Sequence, residues 1–252
     1  MAHGTGYIFA FAAGVCLVCS LGLAVTSQAL KERQQVNIKR DFQKNVLLAL
    51  DLPGDGQPPL VGEQIEAMYA ERVKLVVIDT TGVVQEGKVK ADVESARAAA
   101  KGTDNPVALM PVYTRVDDGN VVNYAIEANG VGLWGPISGF IALGSDGYSV
   151  TGATFFASKE TPGLGYEITQ PKFTQQFKKA AGKRIHDGTS PRGIGVKKPG
   201  TTAGLCPGDE IAYCVDGVSG ATITGDGVDA MVAEAVVAYE PYLTHIRNGG
   251  GS

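Results

Sequence analysis

A long uncharged segment near the N-terminus most limits what this chain can fold into. No charged residue occurs from Tyr7 to Ala29, and roughly 20 apolar residues suffice for a helix to cross a bilayer. No Lys or Arg precedes this segment, its apolar run is longer than that of a usual signal peptide, and only Ala24-Val25-Thr26 approaches a cleavage site. These features favour a retained transmembrane helix over residues 7–29, after a short tail at residues 1–6, rather than a cleaved signal.

The rest of the chain is long enough for one soluble domain with its own core. Its formal net charge is −4, with 22 Lys and Arg against 26 Asp and Glu, which argues against a nucleic-acid-binding surface. Short β-branched runs separated by Gly, Asn and Asp turns predict strands, and periodic apolar stretches predict helices. We therefore expect an α+β fold, with helices packed on an antiparallel sheet, preceded by one N-terminal transmembrane helix.

The predicted elements divide the soluble domain into a membrane-proximal α/β part at residues 30–104 and a second part at residues 105–252. The segment 91–101 is either a surface helix or a poorly ordered connection. The predicted strands cover residues 73–79, 107–116, 121–128, 137–143, 149–156 and 192–197, and the predicted helices cover 36–50, 62–72 and 172–182.

The C-terminal region predicts an amphipathic helix whose buried face recurs at helical spacing. Pro241 is expected to end or kink it, and Thr222 is expected in the turn that leads into it. The residues of the predicted buried face are Val228, Met231, Val232, Ala235, Val236, Tyr239 and Leu243.

The segment Asp216–Thr222, DGVSGAT, precedes this helix. A helix start offers free N–H groups and the positive end of a dipole, which favours a phosphate. Small residues at Ser219, Gly220 and Ala221 let a bulky group lie against the backbone, and Thr222 supplies a hydroxyl. Taken alone, the segment is equally compatible with an ordinary cap or turn.

Two further motifs occur upstream of DGVSGAT: ETPGLG at Glu160–Gly165, and GVGLWGPI at Gly130–Ile137, which contains the single Trp. In this order the three motifs resemble the covalent FMN-binding domain family represented by the C subunit of the sodium-translocating NADH:quinone oxidoreductase. The resemblance covers essentially the whole chain and is most specific from about Asn123 to Thr222. The G subunit of Rnf-type complexes shares ETPGLG and SGAT, but the GLWGPI segment is more similar to the quinone-reductase family.

The resemblance implies that residues 105–252 are the covalent FMN-binding part and that the phosphate of FMN is esterified to the Thr222 hydroxyl. Ser219, Gly220 and Ala221 would then permit close approach, and Leu164 beside Gly163 would pack on the flavin ring. Glu160 and Thr161 would bond the polar edge of the flavin or its ribityl chain, although ETPGLG could also be a turn that closes the sheet. Trp134 either stacks near the flavin or belongs to the core. Lys198, or its neighbour Lys197, either neutralises the flavin or its phosphate or is a solvated surface lysine.

The resemblance also implies an electron-relay subunit in a bacterial inner membrane, with its flavin domain on the periplasmic side. Its partners would be the bilayer, the other membrane and flavin subunits of the complex, and a flavin transferase. By the positive-inside rule, the cations that follow the span would instead place the domain in the cytoplasm. We adopt the periplasmic side that the resemblance implies. The cations are Lys31, Arg33, Lys39 and Arg40.

No complete activity is expected from this chain alone. It has no dinucleotide-binding GxGxxG, no P-loop and no nucleophile triad, so NADH oxidation is assigned to another subunit. His3, His186 and His245 lack metal-ligand spacing, and neither a catalytic residue nor a metal site is assigned. The alternatives are an Rnf-type G subunit, a stand-alone membrane flavodomain and a flavin-free membrane scaffold.

Four cysteines leave two questions open. Cys16 and Cys19 lie in the apolar span, where they either pack as small apolar residues or have a redox or iron–sulfur function. Cys206 and Cys214 either form a disulfide in an oxidising compartment or remain free thiols, since pairing cannot be read from sequence.

Overall fold

A computed structural model describes residues 4–54, 56–102, 107–157 and 159–250. The chain divides into two compact units, Met1–Phe42 and Gln43–Ser252. The segments 30–104 and 105–252, treated separately above, contribute strands to one sheet in the second unit. The α+β class expected from the sequence is confirmed.

The first helix, α1 (Thr5–Ala49), contains the one stretch in the described part of the chain that is long and apolar enough to cross a membrane. The separate helix predicted at residues 36–50 is its continuation. Only its last turns are buried, at Gln43, Val46, Leu47 and Ala49. The carbonyl of Asn45 there accepts a hydrogen bond from the Thr154 hydroxyl (3.0 Å).

The main sheet is an antiparallel meander in which each strand pairs with the next along the chain, in the order β1-β2-β3-β4-β5. The predicted turn at Asp118-Gly119 joins β2 to β3, and both of its residues have positive φ (51° and 83°), as a tight hairpin turn requires. The strands are β1 (Val73–Asp79), β2 (Leu109–Asp117), β3 (Asn120–Val131), β4 (Pro136–Gly144) and β5 (Val150–Phe156).

A second sheet pairs two short parallel strands, β6 (Gly195–Lys197) and β7 (Cys214–Asp216). Of these two strands, only β6 was predicted from the sequence. The α-helices that follow α1 are α2 (Glu63–Arg72), α3 (Lys90–Ala100), α4 (Pro171–Thr174), α5 (Thr202–Leu205) and α6 (Thr222–His245).

The core lies between the main sheet and α6. Side chains alternate between the two faces of a strand, and Tyr124, Ile126 and Ala128 of β3 join Val228 and Met231 of α6 in one buried cluster. Every residue of the predicted buried face of α6 is buried. Pro241 does not end the helix, which continues to His245.

The predicted helix at residues 172–182 is wrong. Helix α4 ends at Thr174 and gives way to two 3₁₀ turns, Gln175–Phe177 and Lys179–Ala181. Lys178 between them has an extended backbone (φ −64°, ψ 151°), which interrupts helical hydrogen bonding, and its ammonium pairs with Asp51. Phe173 and Phe177 are nevertheless buried, as predicted.

Candidate functional site

The start of α6 presents Thr222 to the surface. Thr222 is the first helical residue and is exposed, whereas the sequence placed it in the preceding turn. Hydrogen bonding begins with the Gly225 N–H on the carbonyl of Ala221 (2.9 Å), so the N–H groups of Thr222, Ile223 and Thr224 have no acceptor inside the helix. The first turn contains no acidic residue, which leaves this end suited to a phosphate.

The ETPGLG loop lies directly against the DGVSGAT segment. The carbonyl of Thr161 accepts the N–H groups of Leu164 (3.1 Å) and Tyr166 (3.2 Å), which folds the loop around Gly163. A β-carbon built at Gly220 would lie 2.9 Å from Leu164 Cδ2. Because Gly220 also has a φ of 78°, glycine suits this contact for both space and backbone.

Glu160 connects this loop to two other segments. Its side chain is buried, with 4% exposed. Its Oε2 accepts the Thr224 hydroxyl (2.7 Å), and its Oε1 accepts the backbone N–H of Trp134 (2.8 Å). The resemblance places Glu160 at the polar edge of the flavin or at its ribityl chain; in the structure its two carboxylate oxygens accept hydrogen bonds from two other protein segments.

The indole of Trp134 is 64% exposed, so it is not part of the core. It lies in the turn between β3 and β4, which is closed by the Gly132 N–H on the carbonyl of Gly135 (2.8 Å). A β-carbon at Gly227 would lie 2.3 Å from the carbonyl oxygen of Val131. This turn therefore packs against the first half of α6.

A cavity of about 790 Å³ opens beside these loops, within the size range of small-molecule and cofactor sites. Its polar side chains include Lys172 and Gln176, which the sequence reasoning missed because they lie in the segment predicted as a plain helix. The lining residues are Gly163, Glu167, Lys172, Phe173, Gln176, Pro199, Gly200, Asp216, Gly217, Val218 and Ser219.

Asp216 holds one wall of this cavity. Its Oδ1 accepts the N–H groups of Gly200 (3.0 Å) and Thr202 (3.3 Å) and the Thr202 hydroxyl. The side-chain amide of Gln176 donates to the Asp216 carbonyl (2.8 Å) and accepts the Asp216 N–H (2.7 Å). These contacts fix strand β7 against both the 200–202 loop and the segment that follows α4.

Lys198, predicted near the cofactor, is exposed just after β6. Its carbonyl accepts the Thr201 N–H (3.1 Å) and hydroxyl (2.7 Å). The next two residues line the cavity, but among the lysines only Lys172 does so within the described residues. The structure therefore places Lys172, rather than Lys198, at the cavity surface.

Cys206 and Cys214 form a disulfide, which resolves the alternative left open by the sequence. The bond joins the end of α5 to the start of β7. The buried ammonium of Lys183 donates to the carbonyls of Ile211 (2.8 Å) and Cys214. Burial lowers the pKa of Lys183, and the charge of Asp216 partly opposes that shift.

These features together form a site for an anionic, planar cofactor. A helix start whose first N–H groups have no helical acceptor suits a phosphate, and an adjoining cavity with the buried Phe173 side chain suits an aromatic ring system. Thr222 is the exposed hydroxyl at that helix start.

Comparisons with known proteins locate the same region. The FMN-binding domain family matches residues 132–237. This range contains the ETPGLG and DGVSGAT motifs and all but the first two residues of GVGLWGPI. Solved structures of similar fold include the C subunit of Na(+)-translocating NADH-quinone reductase from Parabacteroides distasonis, which is 31% identical with a TM-score of 0.69 over 85% of this chain and 97% of that chain. Shewanella oneidensis NqrC is 25% identical, with a TM-score of 0.65 over 84% and 99%.

Relatives that match along nearly their whole length have the same name. The C subunit of the Na(+)-translocating NADH-quinone reductase of Yersinia pestis is 31% identical over 258 residues, which cover 93% of this chain and 90% of the relative. The Vibrio parahaemolyticus protein is 29% identical over 260 residues, which cover 94% and 93%.

Proposed function

Because the chain belongs to the NqrC family, the C subunits of the Na(+)-translocating NADH-quinone reductases, we propose that it is a flavin-carrying subunit that relays electrons within such a complex. The observation that carries the proposal is the exposed Thr222 at the start of α6, beside a 790 Å³ cavity, inside the region that matches the FMN-binding domain. The relatives described above are all NqrC proteins by name, which favours this complex over an Rnf-type one.

The cofactor proposed is FMN, joined by a phosphoester to Thr222 with the help of a flavin transferase. The first-turn N–H groups of α6 would hold the phosphate, with Ser219, Gly220 and Ala221 leaving room for it. The bound flavin supplies one-electron chemistry, and the protein supplies position and electrostatics. A covalent tether prevents loss of the cofactor where free FMN cannot replace it.

The flavin ring is proposed to lie in the cavity. Ser219 and Gly163 line the cavity, and together with Thr161 and Leu164 they would hold the cofactor there. The ammonium of Lys172 at the cavity surface can neutralise negative charge on a reduced ring, the function expected of Lys198 from the sequence. Trp134, whose backbone N–H bonds Glu160 Oε1, is exposed, so its indole can cover the cofactor or face a partner subunit.

The membrane arrangement is also part of the proposal. The apolar part of α1 is long enough to span a bacterial inner membrane once. A disulfide at Cys206 and Cys214 is expected in an oxidising compartment and rare in the cytosol, which supports the periplasmic side. The electron donors and acceptors are then other membrane and flavin subunits, and NADH is oxidised elsewhere in the complex.

Attachment is tested by peptide mass mapping of the protein made together with its flavin transferase. Thr222→Ala should lose all covalent flavin, whereas Thr222→Ser should keep part of it because it retains a hydroxyl. Thr224→Ser, two residues further along, is the matched control and should be fully loaded. A fully loaded Thr222→Ala protein contradicts the proposed bond.

Orientation is tested by thiol labelling of intact cells with a membrane-impermeant reagent. Asn248→Cys supplies the probe after the four native cysteines are replaced by serine. We expect labelling without breaking the inner membrane. Labelling only after lysis would place the domain in the cytoplasm, as the cations from Lys31 to Arg40 suggest.

A further inference from the structure

Three segments of the candidate site meet at the carboxylate of Glu160. Its own loop supplies the carboxylate, the first turn of α6 supplies the Thr224 hydroxyl (2.7 Å), and the turn between β3 and β4 supplies the Trp134 N–H (2.8 Å). The two donor segments use different oxygens of the carboxylate. The contact is therefore a three-way junction rather than a simple pair.

The backbone is shaped to admit this carboxylate. A β-carbon at Gly132 would lie 2.6 Å from Glu160 Oε1, and one at Gly165 would lie 2.2 Å from Oε2. Two glycines from two different motifs thus leave space for one side chain. Neither glycine has a positive φ, so it is this close approach that excludes larger residues.

Burial of the Glu160 carboxylate fixes the positions of its two hydrogen-bond donors. A carboxylate with only 4% of its residue exposed is costly unless its oxygens accept hydrogen bonds, so both donors are held where the oxygens need them. Thr224 lies in the same helical turn as Thr222, and a fixed Thr224 side chain fixes the rotation of that turn. The orientation of the Thr222 side chain follows from it.

We propose that Glu160 is a positioning residue that holds the helix start with Thr222, the ETPGLG loop and the Trp134 turn in one arrangement, so that the attached flavin has a single orientation. The part of this inference that concerns the flavin rests on the proposed function. The junction itself does not, because its hydrogen bonds are present in the structure. Glu160 acts through Thr224 and Trp134 and does not touch the cofactor.

The first arm of the test uses full-length, flavin-loaded protein and measures flavin fluorescence anisotropy and midpoint potential. Glu160→Ala and Thr224→Val should each lower the anisotropy and shift the potential in the same direction. Glu160→Gln and Thr224→Ser should restore wild-type values, because an amide can accept the Trp134 N–H and donate to the Thr224 oxygen. Glu210→Gln is the matched control, because Glu210 is exposed, its carboxylate pairs with Arg192 (2.8 Å) and it does not line the cavity, and it should leave the anisotropy unchanged.

The second arm uses the flavin-free Thr222→Ala background and follows the emission anisotropy of Trp134, the single tryptophan. Glu160→Ala should lower it, because the Trp134 N–H loses its acceptor. Thr224→Val should leave it unchanged, because Thr224 uses the other oxygen. This arm tests the junction even if the wild-type protein carries no flavin, in which case the proposed function alone has failed.

Two results overturn the inference. An unchanged potential and anisotropy in Thr224→Val, with altered values in Glu160→Ala, would assign Glu160 a direct contact with the flavin. An unchanged Trp134 signal in Glu160→Ala would show that the carboxylate does not hold the turn. If Glu160→Ala fails to fold, Thr224→Val and its serine rescue decide the flavin arm, and Glu160→Gln should still keep the wild-type Trp134 signal.

Discussion

At the scale of single residues, a second buried carboxylate joins elements distant in sequence. Glu127 of β3, with 8% exposed, pairs with Arg97 of α3 and accepts the hydroxyl of Tyr113 (3.0 Å). Burial alone would lower the pKa of Arg97, but the charge and hydrogen bond of Glu127 leave that pKa above its ordinary value. The pair fastens α3 to the sheet.

Removal of Arg97 should therefore destabilise the fold. Arg97→Ala takes the paired guanidinium away from the buried Glu127 carboxylate, and we expect the free energy of unfolding to fall by about 1–3 kcal/mol. Lys88→Ala is the matched control, because its pair with Asp92 (3.4 Å) is exposed and worth roughly 0.5 kcal/mol or less. Urea unfolding in detergent micelles measures both, and equal losses would contradict the prediction.

Residues at the site were only partly predictable. The motifs identified Thr222, Leu164 and Glu160, because short segments at a helix start or turn carry local chemistry. The partners of Glu160 were not foreseen, since Trp134 and Thr224 lie 26 and 64 residues away in sequence. Lys172 was missed for the same reason, because nothing in the local sequence indicates that its segment borders a cavity.

At the scale of elements, the periodic spacing of apolar residues predicted those helices and strands that bury one face along their whole length. The seven apolar positions of α6 all pack into the core, and β1 through β5 lie where alternation and turns predicted them. The helix predicted at 172–182 was wrong because the backbone is extended at Lys178, and no Pro or Gly in the sequence indicates a break at that residue. Strand β7 was missed because three residues are too few for a periodic pattern.

The disulfide should stabilise the segment between α5 and β7. Cys206 and Cys214 are 8 residues apart, and closing so short a loop contributes about 2–3 kcal/mol in the chain-entropy account. We expect the Cys206→Ser/Cys214→Ser double variant, and the wild type under reductant, to lose that amount in urea unfolding. The Cys16→Ser/Cys19→Ser variant is the control and should keep the wild-type free energy of unfolding. If reductant destabilises the Cys206→Ser/Cys214→Ser variant further, the effect of reductant does not come from this disulfide.

The end of α1 depends on a close approach to β5. A β-carbon at Gly152 would lie 2.2 Å from the carbonyl oxygen of Ala49, so Gly152→Ala should displace the last turn and cost about 1–3 kcal/mol of stability. Gly144→Ala is the control, because its nearest neighbour, Asp146 Oδ1, is 3.4 Å away. Thermal unfolding of the two variants tests this prediction. Equal unfolding temperatures would show that the end of α1 shifts to admit the added methyl group without loss of stability.

At the scale of the whole molecule, buried tyrosines set an alkaline limit to stability. Burial, reinforced at Tyr69 by Glu127 and at Tyr242 by Tyr124, raises the pKa of each from 10.0 to about 12. Burial raises the pKa of Tyr113 and Tyr239 further. Burial raises the pKa of Tyr124 as well. The lowered pKa values of Lys90 and Lys183 act in the opposite direction, but these are two lysines against five tyrosines.

A group whose pKa is raised on folding contributes stability below its unfolded pKa and loses it as pH rises. We therefore expect stability to fall between about pH 10 and 12, with tyrosinate absorbance rising together with the loss of the circular dichroism signal. Tyr69→Phe should move the transition to higher pH. Ionisation of Tyr113 or Tyr239, which are 0% and 3% exposed, before the loss of the circular dichroism signal would contradict the assignment.

The order of the sheet has a consequence for when the cofactor can be added. Strands β1 to β5 pair only with their neighbours in sequence, so the sheet can assemble in step with synthesis. Helix α6 follows all five strands of this sheet in the chain, and it brings Thr224 to Glu160. Under the proposed attachment at Thr222, a transferase that requires the assembled site acts only after α6 has been synthesised and Thr224 has reached Glu160, so flavin loading would report that the sheet and α6 have come together.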